Sequence, residues 1–175
     1  MSNVVRSSAP RIERCTTAQV LPLRLAVLRD GTPSQDANYS EDELPGAVHL
    51  AIRERSNGNS VDGNSIDGNS IDGAIIATST WIPRPYPFDE ALPPAPAVQL
   101  KGMAVAKTAQ GTGLGTALLA AGRDYATALG AECVWARARD SALYFYEHHG
   151  FEAIGEQFTD EATGIGHHIV VTWLR

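Results

Sequence analysis

A chain of 175 residues can bury one substantial core, and 43% hydrophobic with 19% charged residues describes a folded domain, not a disordered segment. The net charge of −6, with no run of lysine and arginine, argues against the basic stripe by which nucleic-acid binders neutralise phosphates. The most apolar early stretch, 20–28, is broken by Pro22 and Arg24, far short of a membrane span, and no signal-peptide pattern precedes it. Cys15 and Cys133 stand apart without metal-type spacing, which suits free thiols in a cytoplasmic protein.

Residues 12–15 read as a short first strand. Thr16 or Thr17 can cap a helix running toward Arg29, with Val20, Leu23, Val27 and Leu28 on its inner face and Pro22 tolerable near the first turn. Residues 30–45 are polar and turn-rich. The stretches VHLAIR (48–53) and AIIATST (74–80) alternate as two strands of a hairpin.

Between them stands NSVDG NSIDG NSIDG, residues 59–73. A period of five matches neither helix nor strand, and each unit offers one apolar side chain, Val61, Ile66 or Ile71. Three such units are too small to stack into a solenoid. Asp62, Asp67 and Asp72 lie five apart, whereas a calcium loop needs acidic residues two apart and a distal glutamate. The repeat reads as an insertion, 57–73, that lengthens a hairpin loop; closure entropy grows only logarithmically with length, so the domain tolerates it.

Residues 81–97, WIPRPYPFDEALPPAPA, hold six prolines and read as a stiff crossing loop. VQLKGMAV (98–105) is the clearest strand, and Gly102 inside it signals a bulge or a close approach. A long helix follows from Thr112, with Leu114, Ala117, Leu118, Ala121, Tyr125, Ala128 and Leu129 in a 3.6-residue period and Gly130 at its end. A short buried strand at 133–136, a second helix capped by Asp140 or Ser141 and ending at Gly150, and strands at 153–158 and 168–174 complete the chain.

The chemistry lies in MAVAKTAQGTGLGTALL, residues 103–119: strand, glycine-rich turn, helix. Unpaired N–H groups of the turn and the first helical turn, at the positive end of the helix dipole, form an anion cup. The P-loop pattern fails because no lysine follows the glycines, and GxGxxG fails because its last position is Thr116 or Leu118. What fits is Gln-x-x-Gly-x-Gly: Gln110, Gly113 and Gly115. This segment resembles the acyl-CoA site of the GCN5-related N-acetyltransferase (GNAT) superfamily. A second motif, ALYFYEHHGF (142–151), resembles that family's closing helix.

The resemblance implies a single domain over residues 1–175: an α/β (α+β) fold with a mixed, mostly antiparallel sheet of six to seven strands and helices on both faces. It implies acetyl-CoA as co-substrate and direct acetyl transfer to a primary amine of a small molecule or a protein. Met103, Ala104 and Val105 would meet the pantetheine and thioester. Gln110, Gly111, Thr112, Gly113, Leu114, Gly115 and Thr116 would hold the pyrophosphate, and the Val105 N–H would face the oxyanion. Tyr146 would donate a proton to the departing thiolate, as a hydroxyl titrating near 10 can at neutral pH.

Many relatives carry asparagine where this chain has Arg139; Arg139, Lys107 and Arg123 are candidates to reach a CoA phosphate. His49 and Glu54, or a water chain, are the candidate bases, and His167 matches a histidine that borders the acceptor cleft in some bacterial members. His148–His149 and His167–His168 lack zinc spacing, so no metal is expected. A homodimer through the C-terminal strand edge is compatible with the pattern, as is an acyl-CoA-binding module without catalysis.

Overall fold

The computed structural model describes residues 9–55, 73–86 and 95–174. The tandem repeat up to Asp72 and residues 87–94 of the proline-rich stretch lie outside the described residues. Seven strands form one sheet: β1 (Glu13–Cys15), β2 (Val48–Arg53), β3 (Ile75–Pro83), β4 (Ala97–Val105), β5 (Cys133–Arg139), β6 (Glu152–Thr159) and β7 (Gly166–Trp173). Their order is β1-β2-β3-β4-β5-β7-β6. Every pairing is antiparallel except β4 with β5. Three α-helices accompany the sheet: α1 (Thr17–Leu28), α2 (Leu114–Ala128) and α3 (Leu143–His148).

Side chains alternate across a strand, so neighbours on β3 report the two faces. Thr80 accepts a hydrogen bond from Arg24 of α1. Trp81, the next residue, lies so close to α2 that a Cβ at Gly122 would sit 1.8 Å from its indole. The helices α1 and α2 therefore cover opposite faces, and α3 shares α2's face through Tyr146 and Phe151, which join the main core with Ala136, Ala138 and Val170.

The mixed sheet with helices on both faces matches the expectation, while β5 runs past residue 136 to Arg139 and α3 starts only at Leu143, with neither Asp140 nor Ser141 as its cap. The strand β3 runs through Trp81 and Ile82 to Pro83, where a loop was expected from residue 81, and Trp81 is wholly buried. Proline is tolerated there because β2 stops pairing at Trp81, leaving the ring's missing N–H on the open side, while the Arg84 N–H turns to Ala97 O at 3.0 Å. On α2 the buried stripe is Leu118, Leu119, Gly122 and Ala126, whereas Ala128 and Leu129 face solvent. At the mouth of the β2–β3 hairpin the Glu54 N–H donates to Ala74 O at 2.9 Å, so the sheet is closed before the insertion begins.

Candidate active site

The β4–β5 ladder pairs only from Ala97↔Cys133 to Leu100↔Ala136. Both strands continue, to Val105 and Arg139, without further pairing, so they splay. The bulge at Gly102, with φ of +59°, drives the divergence: β4 opposes β3 as Thr80↔Lys101 and then Thr78↔Ala104. A Cβ at Gly102 would stand 2.9 Å from Arg24 Nε, so glycine is the residue that fits. A cavity of about 1010 Å³ fills the opening, lined by β4, β5, the glycine turn, α3 and the loop after α1.

On the α2 side the wall is backbone. The Ala106 N–H bonds to Ile76 O at 2.7 Å, so the Ala104 and Ala106 ladder groups face β3; by alternation, those of Met103 and Val105 face the splay. Gln110 Nε2 donates to Val105 O at 3.1 Å, tying the turn to the strand. Gly111 and Gly113 hold φ of +76° and +85°, and nothing lies within 4 Å of a Cβ built on either. Gly113 is the N-cap of α2 and supplies no side-chain acceptor; the first bond back along the helix is Ala117 N–H to Gly113 O at 3.0 Å. The N–H groups of Leu114, Gly115 and Thr116 thus lack intrahelical partners. Gln110, Gly111, Gly113, Leu114, Gly115 and Thr116 line the cavity together with Met103, Ala104 and Val105. Thr112 turns its hydroxyl to Ala109 O at 2.6 Å and is not among the lining residues.

The helix α3 closes this side. Tyr146 is buried, packs edge-on against Phe151 at 5.2 Å, and lines the cavity. Among the described residues its hydroxyl makes no hydrogen bond, and it is not one of the occluded polar atoms. Burial pushes the phenol above its ordinary value, so it stays protonated across the neutral range. His149 accepts at Nε2 from Thr116 at 3.0 Å and donates from Nδ1 to Phe145 O at 2.7 Å, which fastens α3 to the start of α2.

On the α1 side the wall is charged. Arg29, Lys101, Arg137, Arg139 and His167 line it, with Asp36 and Asp160. Arg139 and His167 are direct cross-strand partners. His167 Nδ1 lies 2.9 Å from Ile165 O; a carbonyl only accepts, so Nδ1 is the donor, and in the neutral ring the lone pair is on Nε2.

Several sequence candidates sit elsewhere. His49 lies outside the cavity lining, locked by Thr17 at 3.0 Å, Thr80 at 2.8 Å and Arg24 at 3.3 Å. Burial, and then the Arg24 guanidinium, hold its imidazole below the ordinary value. Glu54 is exposed at the hairpin mouth. Arg123 does not reach toward phosphates: Nη2 donates to His149 O at 2.6 Å and to Thr172 at 3.2 Å, and its guanidinium stacks over Phe151. Lys107 pairs with Asp30 at the surface. The sequence reading missed the buried pair of Arg24 with Asp42, 2.6 Å apart and fully sequestered. The i, i+4 spacing of Val20 and Arg24, the two buried residues of α1, was the available signal. Among the described residues, no three histidine, cysteine or carboxylate side chains converge as metal ligands, and no helix is long and apolar enough to cross a membrane.

Residues 69–153 match the family model described as the acetyltransferase (GNAT) domain. Over that segment, just under half of its length, the chain is similar to the GNAT acetyltransferase domain. No curated protein matches the sequence. Among solved structures, an acyl-CoA N-acyltransferase from Pseudomonas aeruginosa aligns with TM-score 0.65 and 18% identity, over 93% of this chain and 99% of that one. Arabidopsis thaliana NAA60 in complex with acetyl-CoA gives 0.64 and 15%, over 95% and 99%. A GCN5-related N-acetyltransferase from Kribbella flavida gives 0.59 and 18%, over 95% and 98%. At these identities the structural likeness speaks for the fold, and the domain match for the reaction class. The domain match supports an acyl-CoA-dependent acyltransferase.

Proposed function

We propose that the chain is an N-acetyltransferase that moves acetyl from acetyl-CoA directly to a primary amine of a small molecule, within one domain carrying an inserted hairpin loop at 57–73. The observation that supports this best is the splay itself. It joins a backbone-lined anion cup on one face of the sheet to a charged chamber on the other, with an unpaired tyrosine hydroxyl in its wall.

The free N–H groups of the turn and of Leu114, Gly115 and Thr116 suit a pyrophosphate, because they cost no side-chain ordering and add the helix dipole. The outward groups of Met103 and Val105 suit the amides of pantetheine, and Ala104 contributes to the wall between them. Once a thioester is held there, the Val105 N–H is the donor for the oxyanion formed when the amine attacks. His167 Nε2 is our choice of base for the amine proton, replacing His49 and Glu54, which do not face the chamber. As the tetrahedral intermediate collapses, Tyr146 Oη donates its proton to the leaving sulfur, so the thiolate departs as a thiol.

Two free cysteines, Cys15 and the buried Cys133, fit a cytoplasmic protein. The exposed edge strand β6 is the face through which a homodimer would form. The direct test is calorimetric titration of acetyl-CoA, followed by CoA-thiol release with a panel of amines. Micromolar binding with amine-dependent release is expected; binding without release from any amine would contradict transfer. Deleting residues 57–72 is expected to leave acetyl-CoA affinity within about threefold, under about 1 kcal/mol. A larger loss would give the repeat a part in binding.

A further inference from the structure

The charged chamber holds an imbalance that acetyl transfer alone does not explain. Two of its cations are neutralised: Lys101 by Glu41 at 2.9 Å, and Arg137 by Asp160 at 4.0 Å. Arg29 and Arg139 are not. Arg29, at the end of α1, is 8% exposed, and Arg139 is half-buried at the end of β5. Neither forms an ion pair among the described residues. Both instead donate to the same backbone carbonyl, Leu28 O, Arg29 from Nη1 at 3.2 Å and Arg139 from Nη2. Arg29 Nε takes a second carbonyl, Asp36 O, at 2.5 Å.

Burial, and then the repulsion of Arg29, depress the Arg139 guanidinium below its ordinary value. Two like charges converging on one neutral oxygen are costly to hold unless an anion joins them. The Tyr39 ring, 5.8 Å from Arg29 and 4.3 Å from Lys101, packs against this cluster on the chamber side. Asp160, which pairs with Arg137, also attracts Arg139 without bonding to it, and the lining Asp36 is exposed and accepts from the Asn38 N–H at 2.8 Å.

We infer that Arg29 and Arg139 form an anion site in the acceptor half of the cleft, and that the acceptor is a small amine carrying its own carboxylate or phosphate. The inference rests on the transfer reading above and names its substrate class. The guanidinium fork matches either oxyanion in a bidentate manner that a lysine does not. Anchoring the anion at the end of β5 sets the amine beside His167, the cross-strand neighbour of Arg139.

The test follows CoA-thiol release by the full chain with matched amines: α-amino acids against their carboxamides, and O-phosphoethanolamine against ethanolamine. The anionic member of at least one pair is expected to give a kcat/KM at least about tenfold higher, the amino-acid pairs reporting a carboxylate site and the phosphoethanolamine pair a phosphate site. In Arg139→Gln that ratio is expected to fall toward one, with Arg139→Lys keeping part of it. Acetyl-CoA calorimetry on both variants checks that they are folded. Equal rates within every pair, or a preference that survives in Arg139→Gln, would overturn the inference. A thermal-shift titration with the same amines and no acyl-CoA reads the anion site independently of transfer. A shift with the anionic members, lost in Arg139→Gln, supports the site even if acetyl-CoA fails to bind, which would count against the transfer reading alone. No shift difference between the wild type and Arg139→Gln would contradict the site itself.

Discussion

The helices α1 and α2 begin in opposite ways. The N-terminus of α1 is sealed by a capping box: Thr16 Oγ1 accepts from the Gln19 N–H at 3.4 Å, and Gln19 Oε1 accepts from the Thr16 N–H at 2.9 Å. The helix is then pinned from within the fold by Arg24, whose guanidinium holds both oxygens of Asp42 at 2.6 and 3.0 Å. The start of α2 has neither device. Its cap is a glycine with positive φ, no side chain answers its first-turn N–H groups, and the space beyond is open. A helix end left bare beside a cavity costs stability that a cap would supply. The contrast teaches that α1 closes its end with its own side chains, while the start of α2 leaves its first-turn N–H groups open to the cavity.

The comparison can be broken most forcefully at Gly113. A Gly113→Glu substitution puts a carboxylate at the open cup, against phosphate, on a backbone conformation that side chains rarely adopt. Acetyl-CoA affinity is expected to drop at least about 300-fold, about 3.4 kcal/mol, by calorimetry. Next in size is Tyr146→Phe, at the far wall of the same opening. Because the phenol is packed through its ring and its hydroxyl has no partner among the described residues, the variant should fold normally and bind acetyl-CoA as the wild type does. Its kcat is expected to fall about 100-fold, the lower range for a lost general acid; unchanged kcat would remove Tyr146 from the proton path. The smallest effect belongs to α1. Thr16→Ala should lower unfolding stability by about 1 kcal/mol in urea melts. It should not change acetyl-CoA affinity, and an affinity loss there would erase the distinction between the two helices.

What could be read from the sequence was local. The strand, glycine turn and helix of residues 103–119 lie contiguously, so their spacing carried the cup, and the resemblance of ALYFYEHHGF, 142–151, singled out Tyr146. Interactions that join distant residues were not legible. Arg24 meets Asp42 and Thr80, and Arg29 meets Arg139, only once the sheet is assembled. The prolines after Trp81 suggested a loop because the end of β2's pairing, which lets Pro83 stay in the strand, is a property of the neighbouring strand. His167 was found by resemblance alone; what makes it eligible as a base, the bond from Nδ1 to Ile165 O, depends on a turn geometry that the sequence does not spell out.

The most direct measurement is a calorimetric titration of acetyl-CoA into three chains side by side: wild type, Thr16→Ala and Gly113→Glu. The account predicts equal binding by the first two and none measurable by the third. No binding by the wild type, or binding by Gly113→Glu equal to that of the wild type, would contradict the claim that the bare start of α2 is the acyl-CoA site.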